Sequence, residues 1–121
     1  MTIAPLQLYK CLADETRLLC MLLIQQEGEL CVCELTTALA VSQPKISRHL
    51  GQLRECSLLQ DRREGQWIYY QVNPALPDWV SQLMALTLAN NQDLIKPATR
   101  RLAAMGDRPV RISNVVHECC V

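Results

Sequence analysis

Apolar positions recur at helical spacing through the first half of the chain. Pro5 suits the first turn of a helix, and Leu6, Tyr9, Cys11 and Leu12 follow it. Asp14-Glu15-Thr16 places acid at the head of a second helix. Its body, Leu18-Leu19-Cys20-Met21-Leu22-Leu23-Ile24, is too apolar to be anything but buried, and Gly28 ends it. A third helix is predicted from about Cys31 to Leu39, broken at Ala40-Val41. A fourth runs from Gln43 to about Glu55, with Ser42 as N-cap and Pro44 in the first turn. Ile46, Leu50 and Leu53 give this helix an apolar stripe, while Gln43, Lys45, Ser47, Arg48, His49 and Gln52 form a polar, basic face. Two β-prone runs, Leu58–Asp61 and Trp67–Val72, flank the charged turn Arg62-Arg63-Glu64-Gly65-Gln66, which predicts a hairpin. One long helix is expected from about Pro77 to Ile95, and no period persists beyond Lys96.

Helix, short break, polar-faced helix and two-stranded hairpin, in that order, predict a mainly α fold with a small β-hairpin: a winged helix-turn-helix. The organisation expected is a DNA-binding and dimerisation domain over residues 1–95 and a weakly structured tail over 96–121. The 121 residues suit a single domain. The longest apolar run, Leu18 to Ile24, is seven residues, far below the roughly 20 that a membrane span requires. Met1-Thr2-Ile3-Ala4 lacks a signal-like charge pattern, so a cytoplasmic location is expected.

The chain's net charge of zero argues against a nucleic-acid ligand only until it is partitioned. Residues 1–41 carry net −3, whereas 42–72 carry Lys45, Arg48, Arg54, Arg62 and Arg63 against Glu55, Asp61 and Glu64, net +2. The basic block falls on the helix and hairpin that would face DNA, and phosphate attraction acts within about one Debye length. Ser42, Gln43, Lys45, Ser47, Arg48 and His49 are the candidate base and phosphate contacts of the helix. Arg62, Arg63 and Gln66 are those of the wing. Two such domains about a two-fold axis would read an imperfect inverted repeat in double-stranded DNA, with Leu6, Tyr9, Leu83, Met84, Leu86 and Leu88 supplying the homodimer interface.

Seven cysteines without a secretion signal read as reduced thiols. Cys31 and Cys33, at i and i+2, stand about 200° apart on a regular helix, so joint capture of one ion is expected to unwind the start of the third helix. That would couple a ligand to the reading helix.

Ala13-Asp-Glu-Thr-Arg-Leu18, Gly28-Glu-Leu-Cys-Val-Cys-Glu-Leu35, Ser42-Gln-Pro-Lys-Ile-Ser-Arg-His-Leu50, Leu53-Arg-Glu55 and Gly65-Gln-Trp67 closely resemble the ArsR-type arsenical-responsive repressors of the ArsR/SmtB family. The resemblance spans about Pro5 to Trp79. It implies a homodimeric winged helix-turn-helix that represses an arsenic-resistance operon and leaves its operator when trivalent arsenic or antimony, the inducer, binds. No constitutive cofactor is implied. The effector ligands implied are Cys31, Cys33 and a third cysteine three residues further on, where this chain has Thr36. A hydroxyl substitutes poorly for a soft thiolate. The vicinal Cys119 and Cys120 are therefore favoured as accessory ligands, with Cys56, Cys11 and Cys20 the other candidates. A two-thiolate site would also suit a monomethylated trivalent arsenical.

Other readings compete. Nitrogen-rich zinc-type sensing is disfavoured because His49 and His117 are the chain's two histidines. Cadmium, lead or mercury sensing and thiol redox sensing remain open. Enzyme chemistry fares worst: Glu29 and Glu34 flank the cysteine pair and oppose thiolate formation, and no phosphate loop or nucleophile elbow is present.

Overall fold

The computed structural model describes residues 1–106. Helix α1 (Pro5–Leu12) leads into α2 (Glu15–Glu27). The Asp14 side chain caps α2 by accepting from the Arg17 N–H at 3.0 Å. Gly28 ends α2 with φ +90°, a conformation that favours glycine, and its N–H donates to the Ile24 carbonyl at 2.8 Å. Strand β1 (Glu29–Cys31) follows, then α3 (Val32–Leu39) and α4 (Gln43–Glu55). The hairpin is β2 (Leu59–Glu64) and β3 (Trp67–Val72), and α5 (Asp78–Asn90) and α6 (Gln92–Ala104) complete the described chain. This is the winged helix-turn-helix that the pattern predicts. Leu22, Leu23 and Ile24 of α2 form the centre of the core with Leu35 of α3 and Leu50 of α4, all fully buried.

Three features depart from the sequence reading. The first is β1, which turns the hairpin into a three-stranded antiparallel sheet of order β1-β3-β2. Its register pairs Glu29 with Gln71 and Cys31 with Tyr69. Three residues are too few to show an alternation, so periodicity gave no sign of it. The first wing strand is longer than expected, because β2 runs through Arg62 and Arg63 to Glu64, while β3 keeps its expected bounds. The turn shrinks to Gly65-Gln66, with Gly65 at φ +62° where the tight reversal requires it.

The second departure is that the single helix expected over Pro77 to Ile95 is two. Asn91, at φ −139°, separates α5 from α6. Side-chain amides take up the last carbonyls of α5: Asn90 donates to the Leu86 carbonyl and Asn91 to that of Thr87, each at 2.8 Å. Third, the boundary expected between residues 95 and 96 falls inside α6. Pro97 removes one backbone donor from that helix and masks its period in the sequence. Ile95, Ala98, Leu102 and Met105 are nevertheless buried in the core. Arg101 Nη1 also donates to the Ala38 carbonyl at 2.8 Å, fastening α6 to the end of α3. The expected accessory ligands Cys119 and Cys120 lie outside the described residues.

Large apolar side chains stay exposed on α1 (Leu6, Tyr9), α5 (Trp79, Leu86) and α6 (Leu94). Met84, expected at a dimer interface, is instead buried in the core of its own chain.

Candidate nucleic-acid interface and thiol pair

Helix α4 turns Ile46, Leu50 and Leu53 into the core, which leaves Ser42, Lys45 and Arg48 exposed. Gln43 and Ser47 lie half-buried between them, the Gln43 amide donating to Ser47 Oγ at 2.8 Å. That bond fixes two adjacent hydrogen-bonding groups on the polar face one turn apart.

His49 is a correction to the sequence reading. It is only 6% exposed. Its Nδ1 lies 3.3 Å from Arg17 Nη1, 3.2 Å from Gln52 Oε1 and 3.8 Å from Asp14 Oδ2. At its position in α4 the ring points toward the head of α2 rather than outward, where it joins a polar network. Arg17 organises that network, donating from Nε to the Cys11 carbonyl at 2.6 Å and from Nη1 to Gln52 Oε1 at 2.8 Å. The Arg17 N–H holds the Asp14 carboxyl below its ordinary pKa, and nearby His49 adds to the effect. Asp14, Arg17 and Gln52 thus tie α1, α2 and α4 together. The sequence signal was slight, an Asp-x-x-Arg at a helix start.

The two wing arginines have different surroundings. Arg62 grips Glu29 of β1 with two guanidinium nitrogens, at 2.7 and 3.0 Å, and reaches Glu64 at 2.7 Å. It also stacks 4.8 Å over the Tyr69 ring. It is a clamp across the sheet rather than a group at the wing tip, because β2 extends past it. Arg63 projects from the opposite face of β2, and both it and Gln66 in the turn are exposed.

Cys31 and Cys33 meet without any unwinding of α3. Cys31 is the extended N-cap residue, at φ −92° and ψ 169°, and Cys33 is already in the first turn. The 200° separation of a regular helix therefore does not apply, and the two sulfurs lie 2.7 Å apart. Both are fully buried, in a small apolar cluster with Tyr69 and Trp67 of β3 that is separate from the main core. Glu34, fully buried as well, accepts from the Cys31 N–H at 2.9 Å and closes a capping box. Burial, and then the Glu34 carboxylate, push the Cys31 thiol up to about 12. Thr36, at the position of the absent third thiol, donates its hydroxyl to the Val32 carbonyl at 2.8 Å. Among the described residues no group of three His, Cys, Asp or Glu side chains could hold a metal ion.

Residues 14–61 match the bacterial regulatory protein arsR family. The chain is 55% identical over 107 residues to the arsenic resistance transcriptional regulator ArsR1 of Pseudomonas putida, covering 88% of this chain and 84% of that protein. This protein belongs to the ArsR family. It is also 50% identical over 99 residues to the arsenical resistance operon repressor of Escherichia coli, covering 82% and 85% of the two chains. Among solved structures, HlyU from Vibrio cholerae in its reduced form superposes with a TM-score of 0.64 at 30% identity, over 71% of this chain and 86% of that one. The AntR antimony-specific transcriptional repressor gives 0.59 at 28%, over 71% and 75%. The chain is thus a helix-turn-helix transcriptional regulator and not an enzyme, and none of its described helices is long and apolar enough to cross a membrane.

Proposed function

We propose that this regulator is a homodimeric repressor of an arsenic-resistance operon, and that capture of trivalent arsenic or antimony by Cys31 and Cys33 releases it from operator DNA. The observation that carries this reading is the 2.7 Å approach of the two sulfurs at the head of α3, against wing strand β3. The names of the Pseudomonas putida and Escherichia coli relatives support it. Arsenic and antimony prefer sulfur donors, and a buried pair already in contact forfeits little conformational entropy on capture. Because the pair packs on Tyr69, opposite Cys31 across β1 and β3, an added atom displaces the wing relative to α3 and α4. Release then follows from a misfit between wing and reading helix on the DNA.

Lys45, Arg48, Ser42, Gln43 and Ser47 would enter the major groove, with Arg63 and Gln66 on the flanking backbone. The exposed apolar residues of α1, α5 and α6 would meet those of a second subunit, so that the pair reads an imperfect inverted repeat from the cytoplasm. One of the accessory pair Cys119 and Cys120 is proposed to complete three-sulfur coordination, since no third soft donor accompanies Cys31 and Cys33 among the described residues.

Fluorescence anisotropy of a labelled operator duplex tests the reading. Arsenite added under excess phosphine reductant should release the wild-type protein, whereas Cys31→Ser and Cys33→Ser should bind the duplex and stay bound. Release of both variants at wild-type arsenite concentrations would refute the thiol assignment. Release by oxidant alone, reversed by the phosphine, would favour a redox sensor instead.

A further inference from the structure

A second pair of thiols lies outside the assigned site. Cys11 closes the last turn of α1 and is 6% exposed, while Cys56 is the half-buried C-cap residue of α4. The Cys56 N–H donates to the Gln52 carbonyl oxygen at 3.1 Å. Cys11 Sγ also lies 3.9 Å from the Gln52 carbonyl oxygen in the last turn of α4. Both sulfurs line one cleft of about 550 Å³ in the single chain, lined also by Ala4, Lys10, Glu55 and Leu6, the last on the α1 face proposed to meet the second subunit. That volume is in the range of small-molecule sites, roughly 300–1,000 Å³, and far exceeds what a bare ion fills. Cys20, the remaining described thiol of the core, is fully buried and opens onto no such space.

The geometry points to a binding site for carbon-substituted trivalent arsenicals, with Cys11 and Cys56 as the two sulfur ligands and the organic substituent seated in the cleft between α1 and the end of α4. Two sulfurs leave one arsenic valence over, and a carbon substituent occupies it. Inorganic arsenite would require a third thiol, which the cleft lacks among the described residues. The step balances without an oxidant. For an arsine oxide, two As–S bonds form, the As=O bond breaks, and its oxygen leaves as water with both thiol protons, arsenic staying trivalent throughout.

The site suits that uncharged product. Burial, reinforced by the neighbouring Cys56 and only partly offset by Arg17, pushes the Cys11 thiol up to about 12. A thiolate is therefore disfavoured there, whereas a neutral dithioarsinite meets no such penalty. A chelate through two sulfurs also resists exchange with free monothiols, because a released arm recloses at high effective concentration.

The test is independent of the Cys31–Cys33 reading, since it uses the full-length chain with Cys31, Cys33, Cys119 and Cys120 all changed to serine. Under excess phosphine reductant and excess glutathione, one equivalent of phenylarsine oxide should yield a single adduct by intact-mass spectrometry. A dithiol competitor should strip it, and arsenite should leave none under the same conditions. Adding Cys11→Ser, or separately Cys56→Ala, should abolish the adduct while the thermal unfolding curve stays that of a folded protein. Cys56→Ala, at the half-buried position, carries the test if Cys11→Ser fails to fold. Persistence of the adduct in either folded variant, its location on Cys20, or absence of any adduct would overturn the site. Arsenite retention equal to that of phenylarsine oxide would overturn the specificity.

Discussion

Arg62 of the wing holds the carboxylate of Glu29, two residues before Cys31, through two guanidinium nitrogens at 2.7 and 3.0 Å. One side chain thereby spans the sheet from the wing to the strand that delivers the thiol. A guanidinium occupied by Glu29 and Glu64 has little left for a phosphate. Arg62→Ala should therefore change operator affinity less than Arg63→Ala. The Arg63 substitution should weaken binding at every sequence and lower the salt slope of log K by about one, as expected for one lost phosphate contact. Anisotropy titrations at several salt concentrations separate the two, and an equal drop in slope for Arg62→Ala would show that the clamp opens on DNA.

His49 should behave as an internal residue. Its ring meets Arg17 and Gln52 inside the seam between α2 and α4, so His49→Ala leaves their polar groups poorly satisfied. A destabilisation of about 1–3 kcal/mol in urea melts is expected. The salt slope of operator binding should stay at its wild-type value. For Arg48→Ala, exposed on the same helix, the pattern should reverse: a shallower slope and an almost unchanged melt.

The contrast between these two neighbours shows where the sequence was legible. The stripe Ile46, Leu50, Leu53 placed α4 correctly, and Lys45 and Arg48 away from that stripe are exposed as expected. His49 lies at the border between stripe and polar face, where a one-dimensional pattern cannot tell a solvated side chain from one aimed at another helix. The cysteine pair was recognised by identity, but its geometry was not. Whether residues i and i+2 diverge or meet depends on whether the first is helical, and that was decided by β1, whose pairing partner β3 lies some 40 positions on. The Glu29–Arg62 clamp was invisible for the same reason, being a long-range contact between residues that look like ordinary surface charges.

The proton inventory of the site distinguishes metalloid from cation. Cys31, pushed up to about 12 by burial and Glu34, keeps its proton between about pH 6 and pH 8. When arsenous acid reacts at Cys31, the thiol proton leaves with a hydroxyl as water, so this ligand exchanges no net proton and adds no pH dependence to arsenite-driven release across that window. A cation such as cadmium must expel the Cys31 proton into solution. Its apparent affinity should rise with pH, about tenfold per unit for this one proton. Release midpoints at several pH values check the difference, and a tenfold-per-unit slope for arsenite would contradict the neutral-thiol account.

Thr36 defines what the described site lacks. Its hydroxyl is committed to the Val32 carbonyl, and it stands one turn beyond Cys33 on the same helix face. Thr36→Cys should place a third sulfur beside the pair and lower the arsenite concentration needed for release by at least about tenfold, through the effective concentration of an already positioned ligand. Phenylarsine oxide, with only two valences for sulfur, should gain much less. Equal gains for the two arsenicals would mean that the new thiol acts by replacing one of the pair rather than completing it.

Helix α6 supplies the last prediction, because the sequence treats its second half as a tail and the structure does not. Leu102 is 2% exposed, and Ile95, Ala98 and Met105 share its face in the core. Leu102→Ala should cost about 2–5 kcal/mol, the range for a leucine removed from a packed interior. Truncation after Lys96 should cost more, since it also removes the Arg101 bond to the Ala38 carbonyl that anchors α3 just before the turn into α4. Part of that loss should appear in function. With the end of α3 released, operator affinity should fall even where the truncated chain remains folded, whereas Leu102→Met, which conserves volume, should leave both properties near wild type. Urea melts paired with anisotropy on the same samples resolve the two effects, and wild-type behaviour of the truncated chain in both would return residues 97–104 to the status of a dispensable tail.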